Sequence, residues 1–92
     1  MSSRGRPPTL GPVPRFLIHH RHRPGDCGVA FAAFRGHDTP LRRRPALASC
    51  AYGGHAIWWT VEAAGADEAL ALLPDFVARR SVATRVADVD IP

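Results

Sequence analysis

Two adjacent tryptophans, Trp58 and Trp59, lie in the middle of the most strand-like segment of the chain, residues 57–61. This segment is rich in the aromatic and β-branched residues that strands favour. Side chains alternate along a strand, so the two indoles must point to opposite sides of any sheet that contains them. The segment therefore predicts a sheet with two different faces. One face carries Trp59 in a core with Phe16, Ile18, Ile57 and Val61, and the other carries Trp58 beside Leu17.

The remaining segments give the order strand, helix, strand, strand, helix, strand. The predicted strands are residues 16–22, 46–52, 55–63 and 82–91, with a tight Gly53-Gly54 turn between the second and the third. The predicted helices are residues 26–36, with Asp26 as the N-cap, and residues 67–80, which Pro74 breaks or kinks. This order is the split β-α-β pattern of ferredoxin-like domains. We therefore predict an α+β fold, ferredoxin-like β-α-β-β-α-β, with a four-stranded antiparallel sheet and two helices on one face.

A chain of 92 residues is long enough for one modest domain and too short for two. Residues 1–14 are rich in proline, glycine and arginine and have almost nothing to bury, so they predict a flexible leader. Residues 15–92 form the single predicted domain. A domain of this size buries only about 60% of the surface that its unfolded chain exposes. We therefore expect it to gain stability by association.

The 12 basic residues are all arginine, and the net charge is +4. Lysine, asparagine and glutamine are absent, which indicates the codon bias of a GC-rich genome more than selection for a ligand. We accordingly interpret the run Arg42-Arg43-Arg44 as a solvated loop and expect no nucleic-acid partner, since the RNA-recognition signature is not matched either. No apolar run is long enough to span a bilayer, and residues 1–14 contain no secretory apolar segment. We therefore expect a cytoplasmic protein that does not bind membranes.

Five histidines are many for so short a chain, and Cys27 and Cys50 add two thiols. In the predicted topology the first strand ends where the third begins, which brings His20 and His22 near His55 at one rim of the sheet. Cys27 starts the first helix at the same rim, and Cys50, near the end of the second strand, could approach it. Imidazole and thiolate bind zinc, nickel and copper, and they also hold haem. We therefore predict that His20, His22, Cys27 and His55 form a site for a transition metal, a haem or a small ligand.

Two other interpretations of this rim stay open, and with them the question of whether the protein is an enzyme. In the first, the protein is a small acid–base enzyme in which His20 or His55 pairs with Asp26 as a general base. Its ligand pocket would contain His20, His55, Asp26 and Trp59, and Cys27 at a helix N-terminus would have a lowered pKa. In the second, the protein is a purely structural dimer, in which the rim histidines are solvated and Asp26 only caps the helix.

The run Gly53–Ala63, GGHAIWWTVEA, precedes a helix and, together with the element order of residues 15–91, resembles the small dimeric α/β-barrel proteins. This group includes stress-responsive barrel domains and YCII-related proteins. The resemblance implies a homodimer in which two ferredoxin-like sheets pack face to face. The uncovered sheet face is predicted to carry Leu17, Ala56, Trp58 and Val89. The His-Asp pair of the YCII-related proteins matches no position here, so no catalytic residue is carried over.

Overall fold

The computed structural model describes residues 13–92, which contain four strands. The strands are β1 (Arg15–Arg21), β2 (Leu47–Ala48), β3 (Ala56–Glu62) and β4 (Ser81–Val86). They form one antiparallel sheet in the order β2-β3-β1-β4, so the first and third strands are neighbours in its centre. With the short helices described below, the chain is an α+β protein.

The register of the central strand pair defines the two faces of the sheet. Ile18 pairs with Trp59, and His19 pairs with Trp58. Trp59 is partly buried and packs against the core, whereas Trp58 stacks on the ring of His19 with centroids 5.3 Å apart and planes 1° from parallel. The two indoles therefore point to opposite sides, as the alternation along the strand predicted. We call the side of the sheet with Leu17, His19, Leu47, Trp58 and Val82 the open face.

Three short α-helices follow β1 and β3. They are α1 (Cys27–Ala32), which a 3₁₀ helix (Pro24–Asp26) precedes, α2 (Ala66–Leu70) and α3 (Asp75–Ala78). Pro74 lies between α2 and α3 at the N-cap position of α3. Proline has no backbone N–H and a φ angle suited to a helix start. The predicted break at Pro74 is therefore confirmed.

The core lies between the helices and the face of the sheet opposite the open face. Apolar side chains from both layers form one buried cluster, which consists of Phe16, Ile18, Leu41, Val61, Ala69, Leu73 and Val77. Burial of each aliphatic or aromatic side chain contributes about 1.5–3 kcal/mol. This layer therefore fixes the helices to one side of the sheet, which we call the covered face.

The predicted second strand is present but much shorter than residues 46–52, and the predicted tight Gly53-Gly54 turn is wrong. Strand β2 has only two residues, and the chain then enters a 3₁₀ helix, Cys50–Tyr52. Ser49 organises this loop, because its N–H donates to the Ala56 carbonyl at 2.9 Å and its Oγ accepts from the Ala56 N–H at 3.1 Å. Gly53 adopts φ 83°, a left-handed conformation that glycine reaches without a steric penalty. The connection is therefore a helical loop closed by Ser49, and not a two-residue hairpin turn.

Three smaller expectations also need correction. Strand β4 ends at Val86 and does not reach residue 91, because its partner β1 begins at Arg15, opposite Val86. Val89 therefore lies beyond the sheet. Ala56 is buried, although its register places it on the open face.

Asp26 occupies the N-cap position of α1 but makes no capping hydrogen bond. Its φ of −103° and ψ of 7° are those of a residue ending the preceding 3₁₀ helix, and not the extended conformation of an N-cap.

The predicted leader falls mostly on residues outside the described ones. At its last position, the carbonyl of Pro14 accepts a hydrogen bond from the Ala63 N–H at 3.1 Å. Within residues 13–92, no helix has the length and apolar character needed to cross a bilayer.

Candidate metal centre

The central strands bring His22 and His55 together at one end of the sheet. The last ladder pair joins Arg21 to Ala56, and one residue further the His22 N–H donates to the His55 carbonyl at 3.1 Å. Because side chains alternate along β1, His22 continues the row of His20 and points toward the covered face. Both imidazoles therefore lie at one rim of the sheet, as the topology predicted.

A short loop carries Cys27 back to His22. The 3₁₀ helix Pro24–Asp26 reverses the chain directly after β1, and Cys27 is the first residue of α1. Proline in the first turn of this 3₁₀ helix favours the turn, because its φ angle is already fixed. The thiol of Cys27 consequently faces the end of the strand from which the loop departed.

A second loop carries Cys50 toward His55. Cys50 is the first residue of the 3₁₀ helix Cys50–Tyr52, and the Gly53 N–H donates to the Cys50 carbonyl at 3.2 Å. His55 has φ 52°, a region that residues with a side chain rarely adopt. Such a conformation persists where the surrounding structure imposes it. The fold thus holds His55 in an unfavourable backbone geometry that turns its ring toward Cys27.

The four side chains of His22, Cys27, Cys50 and His55 converge, and we call them the Cys2His2 cluster. Their ligand atoms all lie within 4.8 Å of one another. The Cys27 Sγ atom lies 3.2 Å from His22 Nε2 and 3.2 Å from His55 Nδ1, and the Cys50 Sγ atom lies 3.4 Å from His22 Nε2. Around a tetrahedral zinc ion with Zn–S of about 2.3 Å and Zn–N of about 2.0 Å, the N···S edges measure about 3.5 Å. The cluster therefore already has nearly the dimensions of a four-coordinate metal site.

Burial of the cluster is uneven. His22 is 9% exposed, while Cys27, Cys50 and His55 are half-buried. An ion held by these four atoms would be shielded on the side of the core and would reach solvent on the side of the two loops. The solvent-facing side would let an ion enter, and the buried side would hinder the replacement of protein ligands by water.

His20 lies directly behind His22 and completes its hydrogen bonding. The His20 side chain has no solvent exposure, and its Nδ1 atom lies 3.2 Å from the Val77 carbonyl oxygen. A carbonyl can only accept, so His20 Nδ1 carries the proton and His20 Nε2 is an acceptor. His22 Nδ1, at 3.0 Å from that acceptor, must then be the donor. His22 is therefore the tautomer with its proton on Nδ1, and the lone pair of its Nε2 atom points at the two thiols. A histidine that binds a metal through Nε2 requires this tautomer.

Burial shifts the pKa values of three groups in or next to the cluster. The pKa of His20 is lowered, mainly because burial disfavours the imidazolium. The pKa of His22 is lowered for the same reason, with a further contribution from the charge of His55. Burial raises the pKa of the Cys50 thiol, and so do the hydrogen bond that this thiol donates to Cys27 and the charge of the Cys27 thiolate. Both histidines are therefore held neutral near pH 7, the form in which imidazole binds a metal.

Three of the four residues predicted as metal ligands belong to the cluster. Cys50 completes it, and His20 instead contacts His22 from behind. The sequence does contain a signal for Cys50, because four residues separate His22 from Cys27 and four separate Cys50 from His55. Paired ligands separated by a few residues are typical of structural zinc sites. This equal spacing was overlooked because residues 49–52 were predicted to continue the second strand, whereas they form a loop.

The carboxylate predicted for an acid–base site, Asp26, is not paired with His20 or His55. Within residues 13–92, no hydrogen bond or ion pair joins Asp26 to His20 or His55, and Asp26 acts on His22 only through its charge. Trp59 is tilted against His20 with ring centroids 6.4 Å apart. It lines a separate pocket that none of the other three residues reaches.

The chemistry of the cluster is that of a closed site with two sulfur and two nitrogen donors. Four protein ligands fill a tetrahedral coordination sphere and leave no position for a substrate, which is the arrangement of structural zinc sites. The described residues can therefore hold a transition-metal ion such as Zn²⁺. Comparison with known proteins found no matching family model, no similar curated protein and no similar solved structure.

Proposed function

We propose that the protein is a small metal-binding domain whose Cys2His2 cluster holds one Zn²⁺ ion. The observation that carries this proposal is the convergence of four ligand atoms within 4.8 Å, supplied by two loops at one rim of the sheet. Such an ion would tie the start of α1 to the β2–β3 connection. In a domain of this size, a metal replaces part of the stabilisation that a larger core would provide.

Zinc suits the donor set better than the other predicted groups. Two thiolates and two imidazoles in a tetrahedral arrangement favour zinc, whereas Ni²⁺ and Cu²⁺ favour square-planar or tetragonal sites rich in nitrogen and oxygen. A haem needs axial ligands beside a slot for the macrocycle, while these four atoms converge on one point. A cytoplasmic location, which we also propose, would keep both thiols reduced and available to the ion.

We further propose that the fold is ferredoxin-like and related to the small dimeric α/β-barrel proteins. The strand order β2-β3-β1-β4, with helices on the covered face alone, supports this relationship. Two copies would then associate through the open face. This face is exposed at Leu47 and Val82 and carries the His19–Trp58 stack near its centre.

The decisive experiment measures metal content and cobalt binding in full-length protein from which every affinity tag has been removed. We expect one zinc ion per chain. Cobalt substitution should give the intense visible absorption of a tetrahedral site with sulfur ligands. The variants Cys27→Ser and Cys50→Ser should lose the cobalt spectrum and the zinc-dependent rise in melting temperature, because the ion stabilises only the folded form.

The matched control is His37→Ala, since His37 is a half-buried histidine outside the cluster. This variant should keep both the cobalt spectrum and the thermal response to zinc. The proposal would be wrong if the wild-type protein melted at the same temperature with zinc and with a chelator.

A further inference from the structure

A pocket of about 360 Å³ opens on the covered face, and no residue of the Cys2His2 cluster lines it. Its apolar wall contains three aromatic rings, Phe31, Phe34 and Trp59, together with Ile57 and Leu41. Phe34 and Trp59 are tilted against each other with ring centroids 6.0 Å apart. Leu41 and Ile57 are buried, so this wall is anchored in the core. The pocket has the size and the apolar lining of a site for one small organic molecule.

Four arginines, Arg35, Arg42, Arg43 and Arg44, line the same pocket. In the part of the chain that the structure describes, the ion pairs are Arg15–Asp88 and Arg79–Asp75, and neither involves these four residues. Asp38, the acidic residue of the adjoining loop, is exposed and forms no ion pair with them. An apolar pocket thus carries four positive charges on its wall without a neutralising carboxylate within ion-pair distance.

The loop that supplies three of these arginines is ordered by its own hydrogen bonds. Thr39 is buried, its carbonyl accepts from the Arg42 N–H at 3.3 Å, and its Oγ1 accepts from the Leu41 N–H at 3.4 Å. Arg43 then adopts φ 63°, which is unfavourable for a residue with a side chain. The arginine run is therefore held in a defined turn beside the pocket, and its three side chains are exposed, which agrees with the interpretation as a solvated loop.

We propose that this pocket binds a small organic anion with a planar apolar body, namely an aromatic carboxylate. The rings of Phe31, Phe34 and Trp59 would stack against the body of the ligand, and the guanidinium groups would hold its carboxylate by bidentate hydrogen bonds. The pocket is lined by no residue of the Cys2His2 cluster. This inference therefore stands independently of the proposed zinc site.

The experiment compares naphthalene-2-carboxylate with its neutral analogue naphthalene-2-carboxamide in NMR titrations of the ¹⁵N-labelled full chain, as purified. The two indole N–H signals serve as paired reporters, because Trp59 lines the pocket and Trp58 lies on the opposite face. A Trp58→Phe variant assigns the signals. We expect the carboxylate to shift the Trp59 signal and to leave the Trp58 signal in place, with clearly weaker binding of the carboxamide.

Two variants test the role of charge. Arg42→Gln/Arg44→Gln should weaken carboxylate binding by about tenfold for each arginine that contacts the ligand, and it should leave carboxamide binding unchanged. Arg85→Gln also removes a guanidinium charge, but from strand β4, outside this pocket. This variant should bind the carboxylate with wild-type affinity. Equal affinity for carboxylate and carboxamide, a shift of Trp58 in place of Trp59, or the absence of any shift at millimolar ligand would each overturn the proposal.

Discussion

The Nε2 atom of His20 lies 3.0 Å from the Nδ1 atom of His22, and this contact links the Cys2His2 cluster to the other side of the core. Beyond His20, the chain of polar contacts reaches the Val77 carbonyl and the Ser81 Oγ, each 3.2 Å from His20 Nδ1. Residues at the end of α3 and the start of β4 thus fix the orientation of a candidate metal ligand on β1. Outer contacts of this kind set the tautomer and basicity of metal-binding histidines.

Replacement of His20 should therefore weaken zinc binding without removing a ligand. We expect His20→Phe to lower zinc affinity by about 10–100-fold, the usual loss when the partner of a metal-binding histidine is removed. His20→Gln retains an acceptor for His22 Nδ1 and should recover most of that loss. Competition titrations with a chromophoric chelator measure both affinities. Equal affinities for Phe and Gln at this position would show that His20 acts only by filling space.

The loop that carries Cys50 and His55 has a close backbone approach at Gly54. A methyl group added there would lie 2.6 Å from Ser49 Cβ, and Ser49 is held in place by its hydrogen bond with Ala56. Gly54→Ala should therefore lower the free energy of unfolding by about 1–3 kcal/mol.

The matched control for that prediction is Gly25→Ala, because Gly25 lies in the other ligand-bearing loop and has open space around it. Chemical denaturation of both zinc-loaded variants measures the difference. Equal stability of Gly54→Ala and Gly25→Ala would show that the close approach of Gly54 to Ser49 does not constrain the second loop.

Alternation along the central strands made much of this fold predictable. Trp58 and Trp59, one residue apart, required two unlike faces, and Pro74 required a break in the second helical segment. The pairing of β1 with β3 then followed from the order of the elements, and with it the proximity of His22 and His55. These features depend on local periodicity, which the sequence carries directly.

We expected Cys50 to approach this rim, but its place among the four ligands could not be predicted in the same way. The sequence predicted a strand over residues 46–52, but the hydrogen bonds of Ser49 to Ala56 and the left-handed Gly53 favour a helical loop after Ala48. Such contacts form only after β3 has been placed, so local propensity does not report them. The arginine pocket was missed for the same reason, because it needs Phe34 and Trp59 side by side across the core.

Zinc should protect both thiols of the cluster from alkylation. Thiolates bound to a metal are poor nucleophiles toward an added reagent, and the half-buried Cys27 and Cys50 would both be bound. Reduced, zinc-loaded protein should therefore react slowly with iodoacetamide, and addition of a chelator should release two reactive thiols per chain. Mass spectrometry counts the modified residues, and urea-unfolded protein gives the full count as a control. Alkylation at the same rate with and without zinc would contradict thiolate ligation.

The open face provides the last prediction, which concerns association and is independent of the metal. Trp58 is half-buried by its stack on His19 within one chain. Leu47, which pairs with Trp58, and Val82, which pairs with His19, are 75% and 64% exposed. Two copies related by a two-fold axis would bury this patch on both sides, and each large side chain would contribute about 1.5–3 kcal/mol.

Trp58→Glu would place two charges in that interface and should give a monomer in sedimentation equilibrium. Thr60→Glu, two residues further on the same face, is the control and should weaken the dimer less, because Thr60 is exposed and lies outside the stack. A monomeric wild type, or a Trp58→Glu dimer as stable as the wild type, would show that the open face is not the contact between copies.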